Sequence, residues 1–112
     1  GVCGACTVII DGEPVRACLM FAIQASEKFV RTVEGLADGD DLHPLQNAFK
    51  EEHALQCGFC TPGFLMLAVS ALERDPDISD GALGELLPSN LCRCTGYTNI
   101  VRAARKVRDA SK

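Results

Sequence analysis

Gln56-Cys57-Gly58-Phe59-Cys60-Thr61-Pro62-Gly63 runs without a break into Phe64-Leu65-Met66-Leu67-Ala68-Val69-Ser70-Ala71-Leu72-Glu73-Arg74. Two closely spaced cysteines thus stand at the start of a segment that is apolar nearly all round. Thr61 followed by Pro62 reads as a cap with proline at the first helical position. A helix from Gly63 to Arg74 with no broad polar face belongs inside a bundle. A second cysteine turn, Cys92-Arg93-Cys94-Thr95-Gly96-Tyr97, opens another helical pattern, from about Tyr97 to Arg108. Its apolar face is Ile100, Val101, Ala104 and Val107. Arg102, Arg105, Lys106 and Arg108 are expected to face water or a partner. The turns at Cys60 and Cys94 echo one another, each a Cys, a Thr, a Gly and an aromatic leading into a helix. That echo suggests a pseudo-symmetric pair of helices around one site.

Working outward, Thr7-Val8-Ile9-Ile10 is a short β-rich run and Asp11-Gly12 a hairpin signal. Pro14 to Cys18 is expected to return as a second strand, and Phe29 to Val33 to form a third. The acidic stretch Ala37-Asp38-Gly39-Asp40-Asp41 marks the expected boundary. Beyond it Pro44 starts a helix with Leu45, Ala48 and Phe49 on one face, and Asp40 and Asp41 near its positive end. Ser79 caps a weaker helix carrying Leu83, Leu86 and Leu87, which Pro88 stops. Gly81 and Gly84 each cost that helix about 1 kcal/mol against alanine. The fold class expected is α+β: a β-rich unit over residues 1–38 and an all-α unit over residues 39–112.

A net charge of −4 and a pI near 5.0 argue against a nucleic-acid surface. No apolar stretch reaches the roughly 20 residues that span a bilayer. Seven cysteines are too many to ignore and odd in number. They cluster at short spacings beside helices that need no staples, so ligation is a better reading than a disulfide framework. A reducing, cytoplasmic setting is expected.

Cys57, Cys60, Cys92 and Cys94 form a complete four-thiolate set. A structural zinc and a [2Fe–2S] cluster both accept four cysteines, and a redox disulfide is a third possibility. Electrostatics favours the cluster. An all-thiolate [2Fe–2S] centre gains negative charge on reduction, and both turns feed helix N-termini, where N–H groups and the positive dipole end converge. Arg93 adds positive charge, and Gly58, Gly63 and Gly96 are expected to let backbone approach sulfur. Cys3, Cys6 and Cys18 make three ligands of a second set. Cys3-x2-Cys6 fits the second and third positions of the plant-type ferredoxin pattern C-x4-C-x2-C. Its first ligand would lie five residues before Cys3. The chain is therefore expected to be an N-terminally truncated fragment, in which the remainder of a β-grasp domain precedes the helical unit.

Three stretches together carry a resemblance: Gly1-Val2-Cys3-Gly4-Ala5-Cys6-Thr7-Val8 with Asp11-Gly12 and Cys18; Leu42-His43-Pro44-Leu45-Gln46 with Gln56 to Gly63; and Asn90-Leu91-Cys92-Arg93-Cys94-Thr95-Gly96-Tyr97. In order, and over essentially the whole chain, they resemble the iron–sulfur subunit of molybdenum hydroxylases, the family of xanthine oxidase, aldehyde oxidoreductase and aerobic carbon monoxide dehydrogenase. The resemblance implies a partial β-grasp ferredoxin-like domain followed by a four-helix bundle. It implies that Cys57, Cys60, Cys92 and Cys94 hold a proximal [2Fe–2S] cluster, and that Cys3, Cys6 and Cys18 supply three ligands of a distal one. Gln56 and Cys94 would lie against the pterin of a molybdenum cofactor bound in a large subunit. Electrons would pass through both clusters to FAD on a medium subunit, with no substrate chemistry on this chain. Ser89 stands where the family commonly has glycine.

Two rival readings are a freestanding two-cluster ferredoxin and a zinc-stabilised binding module. His43 and His53 lack cysteine partners at ligand spacing and read as structural. Asp38, Asp40 and Asp41 read as a solvated turn, and Met20 and Met66 as core. Ser70, Ser79 and Ser111 show no hydrolase constellation.

Overall fold

The computed structural model describes residues 1–112. Every residue of Thr7 to Ile10 is β-branched, and these residues form the central strand β1 (Thr7–Ile10) of an antiparallel sheet ordered β2-β1-β3. Strand β2 (Glu13–Arg16) follows a two-residue turn in which Asp11 and Gly12 both take positive φ, 48° and 83°. That pairing matches the twist of a hairpin. The second strand stops before Cys18 because Ala17–Leu19 winds into a 3₁₀ turn. The third, β3, is only Val30–Arg31. Phe29 is drawn into the hairpin turn instead, its N–H donating to Asp11 Oδ1 at 2.9 Å and its carbonyl accepting from Asp11 N–H at 2.9 Å.

Four α-helices complete the chain. Helix α1 (Pro44–Glu51) begins with proline, as expected, and its cap is His43. The His43 Nδ1 accepts from Leu45 N–H at 3.1 Å, and Gln46 Oε1 accepts from His43 N–H at 2.9 Å, a reciprocal box. Helix α2 (Thr61–Arg74) is buried continuously from Gly63 to Ala71. Its cap is Cys60, not Thr61. Cys60 already has helical backbone angles, φ −80° and ψ −13°, which draws Thr61 inside the first turn and away from the extended geometry a capping side chain needs. Helix α3 (Asp80–Leu86) is capped by Ser79, whose Oγ accepts from Ala82 N–H at 3.1 Å, and gives way to a 3₁₀ turn containing Pro88. Helix α4 (Thr98–Ala110) is entered through Tyr97 at φ 70°.

Helix α4 packs on α1 and α3, and α2 lies between them and the sheet. Ile9 and Leu36 join Phe49, Phe64, Met66, Leu83 and Ile100 in one buried cluster, so sheet and helices share a core. None of the four α4 cations simply faces water, Arg105 reaching Asp80 Oδ1 at 3.4 Å. Arg102 and Lys106 pair with Glu52 and Glu51 at the end of α1. Arg108 is buried, its guanidinium held by Asp80 at 2.7 Å, Asp109 at 2.9 Å and the Ile78 carbonyl at 2.7 Å. These contacts fasten α4 to the start of α3 and the end of α1. No helix is long and apolar enough to cross a membrane.

Candidate metal centre

Both turns of the four-cysteine set end at helix N-termini. Cys60 is the cap residue of α2, and Cys94 leads through Thr95 and Gly96 to the cap residue of α4. The fold brings the sulfurs together across the turns as pairs. Cys57 Sγ lies 3.7 Å from Cys94 Sγ, and the Cys60 and Cys92 thiols are near enough to bias each other's ionisation. Two thiolates bound to one tetrahedral metal at about 2.3 Å stand roughly 3.8 Å apart. No three of the chain's His, Cys, Asp or Glu side chains converge on a single point. The sulfur contacts run in two pairs, Cys57 with Cys94 and Cys60 with Cys92, and Cys57 also lies near enough to Cys60 to act on its charge.

Environment separates the pairs. Cys57 and Cys94 are exposed, beside exposed Gln56 and a Phe59 ring that is 81% exposed. Gln56 Nε2 donates to the Cys94 carbonyl at 3.1 Å and ties the first turn to the second. Cys60 and Cys92 are half-buried and border the core. Burial, reinforced by the neighbouring Cys92, pushes the Cys60 thiol up to about 12. Burial raises Cys92 as well, but hydrogen bonds from Thr95 and from the backbone outweigh it and bring that thiol below its ordinary value. Thr95 donates twice to Cys92 Sγ, from Oγ1 at 3.1 Å and from its N–H at 3.4 Å.

Behind the sulfurs lies an aromatic pair. The Phe64 and Tyr97 rings, the aromatic positions of the two echoing turns, meet with centroids 6.2 Å apart and planes tilted by 57°. The Tyr97 hydroxyl accepts from Cys92 N–H at 3.1 Å. One aromatic contact thus joins the roots of α2 and α4 and holds a cysteine loop by its backbone.

The three-cysteine set occupies the neighbouring edge. Cys18 N–H lies 3.5 Å from Cys6 Sγ, and Ala17 N–H donates to the Cys6 carbonyl at 3.3 Å. A buried joint connects this loop to the other set. Leu91 N–H donates to the Cys3 carbonyl at 2.8 Å, one residue before Cys92. Asn90, 2% exposed, donates from Nδ2 to the Gly4 carbonyl at 3.2 Å and to Thr7 Oγ1 at 3.3 Å. A Cβ on Gly4 would overlap the Asn90 amide, and one on Gly63 would overlap the Gly4 carbonyl oxygen. Gly63 therefore allows α2 to approach the other cysteine loop's backbone, rather than a sulfur. Gly58 and Gly96 take left-handed φ of 81° and 67° in the turns.

A model of the [2Fe-2S] binding domain family matches residues 32–105. The chain is 56% identical over 110 residues to the caffeine dehydrogenase subunit gamma of Pseudomonas sp. (strain CBB1), covering 96% of this chain and 66% of that one. It is 57% identical over 103 residues to the nicotine 6-hydroxylase small subunit of Paenarthrobacter nicotinovorans, covering 92% and 62%. Quinoline 2-oxidoreductase from Pseudomonas putida 86 superposes with a TM-score of 0.93 at 49% identity, over 99% of this chain and 68% of that one. The chain belongs to the iron–sulfur subunit family of the molybdenum hydroxylases. It spans a little under two thirds of the length of these first two relatives of that family.

Several residues that shape this family member's site are not evident from ligand spacing. Asn90, Gly4 and Gly63 form the joint, and the roles of Thr95 and Tyr97 depend on how their turn closes. The doubled Cys-Thr-Gly-aromatic pattern is the one sequence signal that points to Thr95 and Tyr97. Nothing local marks Asn90, whose partners lie more than eighty residues away in sequence.

Proposed function

We propose that this chain relays electrons as the iron–sulfur subunit of a molybdenum-containing oxidoreductase, with Cys57, Cys60, Cys92 and Cys94 holding one [2Fe–2S] cluster. The two-and-two disposition of the thiols carries the reading. A binuclear centre needs two sulfurs per iron, whereas one zinc draws four sulfurs to one point. When bound, the cluster supplies a one-electron site without bond chemistry on substrate. The chain's own residues do the rest. Half-buried Cys60 and Cys92 border the apolar core, helix N-termini direct partial positive charge at the turns, and the Phe64–Tyr97 contact holds the two turns in register.

Cys3, Cys6 and Cys18 are three ligands of a second [2Fe–2S] cluster in this reading, the fourth coming from outside the sequence given. Residues 1–38 are then the later part of a β-grasp, ferredoxin-like domain, and residues 39–112 a four-helix cluster-binding domain. Support comes from the sheet's outer side, where Val8, Ile10, Met20, Phe21 and Val30 line an apolar groove of about 350 Å³. Phe21 and Ile23 beside it are 80% and 81% exposed, as expected of a face meant to be covered.

Exposed Gln56, Cys57, Phe59 and Cys94 form the side turned to a molybdopterin-binding large subunit, with Gln56 and Cys94 against the pterin. A medium subunit carrying FAD receives the electrons. Coexpression with genes for such subunits tests this. Copurification with molybdenum and flavin, and two rhombic electron paramagnetic resonance signals on reduction, are expected. A solitary, monodisperse and fully reducible protein would favour the freestanding ferredoxin.

A further inference from the structure

The two echoing turns place a threonine directly after a cysteine at each helix start, and the two hydroxyls are in unlike states. Thr95 Oγ1 accepts a hydrogen bond from Tyr97 N–H at 3.2 Å and lies 3.1 Å from Cys92 Sγ. With the backbone N–H on one side, the hydroxyl proton is directed to the sulfur. Thr61, immediately after Cys60, keeps its Oγ1 out of water with no hydrogen-bond partner in the chain. Because Cys60 and not Thr61 caps α2, no helix N–H uses that oxygen either. A water-excluded hydroxyl without a partner requires an explanation, and an acceptor supplied by something the chain binds is a sufficient one.

We propose that Thr61 and Thr95 are paired hydroxyl donors that set the reduction potential of the group held by Cys57, Cys60, Cys92 and Cys94. The inference rests on reading those cysteines as ligands of one [2Fe–2S] cluster. Reduction adds one electron, makes and breaks no bond, and leaves both hydroxyl protons on oxygen. What changes is the negative charge on sulfur, so a donated hydrogen bond is stronger in the reduced state and favours it. Thr95 acts on the Cys92 sulfur. Thr61, at the pseudo-symmetric position, takes its acceptor only when the cluster is present. Both are positioning and tuning residues, and neither is a ligand.

The test is a redox titration of the assembled complex with dithionite, tracking the two clusters' separate paramagnetic signals in Thr61→Val, Thr95→Val, Thr61→Ser and Thr95→Ser. Each Val variant is expected to shift the reduction equilibrium of the four-cysteine cluster about tenfold toward the oxidised form, about 59 mV lower for a one-electron couple. The Ser variants keep the donor and return the wild-type potential, and the other cluster's potential stays unmoved throughout. A Val variant that retains its iron and its potential overturns the proposal, as does a Ser variant that shifts as far as Val. Should Val cost the cluster, the unmutated complex decides. Brief exchange into deuterium oxide moves the Fe–Sγ stretching bands in the resonance Raman spectrum if rapidly exchanging hydroxyls donate to sulfur, and unmoved bands overturn the idea. A complex with zinc and no inorganic sulfide overturns the cluster reading itself, and the proposal with it.

Discussion

Cys60 and Cys92 border a core in which Phe64, Met66, Leu83 and Ile100 are wholly buried, whereas Cys3 and Cys18 sit among residues whose large apolar side chains face outward. The first region is helical and borders the shared core directly. The second has a two-residue third strand and leans on the helices through Gly4, Gly63, Asn90 and Leu91. Packing of this kind predicts that the four-cysteine site is rigid by itself and that the three-cysteine loop borrows its order from that site. Stability should therefore respond very unequally to equivalent changes in the two regions.

The largest expected contrast is between two phenylalanines. Phe64→Ala removes a fully buried ring and its contact with Tyr97, and should destabilise by about 3–5 kcal/mol. Phe21→Ala removes a ring that is 80% exposed here and should change stability by no more than about 0.5 kcal/mol. Chemical denaturation of the chain alone measures both. Equal costs would mean that the sheet's outer side is already covered.

The joint comes next. Asn90→Ala removes the buried amide that donates to Thr7 Oγ1 and to the Gly4 carbonyl, which keeps only its bonds from Thr7, and should cost about 1–3 kcal/mol. Gly63→Ala improves helix propensity yet drives a methyl into backbone, and should be destabilising by about 1–3 kcal/mol. In hydrogen exchange both variants should loosen residues 1–19 more than α2. Loosening centred on α2 would mean that the three-cysteine loop supports the helices and not the reverse.

A smaller effect is expected at α1, where His43→Ala removes a cap worth about 1 kcal/mol. Thermal unfolding should show the loss while both cysteine regions stay folded.

The pH dependence is expected to be smallest. Hydrogen bonds from Lys106 and Arg102 hold the Glu52 carboxyl below its ordinary value, and Arg108 does the same for Asp80. Folded carboxyls with depressed pKa contribute fully above their unfolded values, near pH 4, and lose that contribution as pH falls through the folded values. The stability gap between wild type and Glu52→Gln should therefore narrow below about pH 4. A gap that widens in acid would contradict the sign.

The range of each interaction decides how legible it is in sequence. Local chemistry is readable: the Asp11-Gly12 turn, Pro44 at a helix start, the Ser79 cap and the all-apolar α2 appear where the residues put them. Thr61 has the oxygen chemistry of a cap, yet the backbone of Cys60 has already turned helical and takes that place. Arg108 resembles part of a wet face because its partners Asp80 and Ile78 come from α3 and the loop before it. The thiol pairs combine both cases. Spacing nominates the four cysteines, but only the folded chain shows Cys57 Sγ in contact with Cys94 Sγ, thirty-seven residues away.

That two-and-two arrangement is tested most directly by counting metal and sulfide in the purified complex. The account predicts iron and acid-labile sulfide in equal amounts, two of each for the four-cysteine site, persisting when Cys3, Cys6 and Cys18 are replaced by Ala. About one zinc per chain, with neither iron nor sulfide, would contradict it.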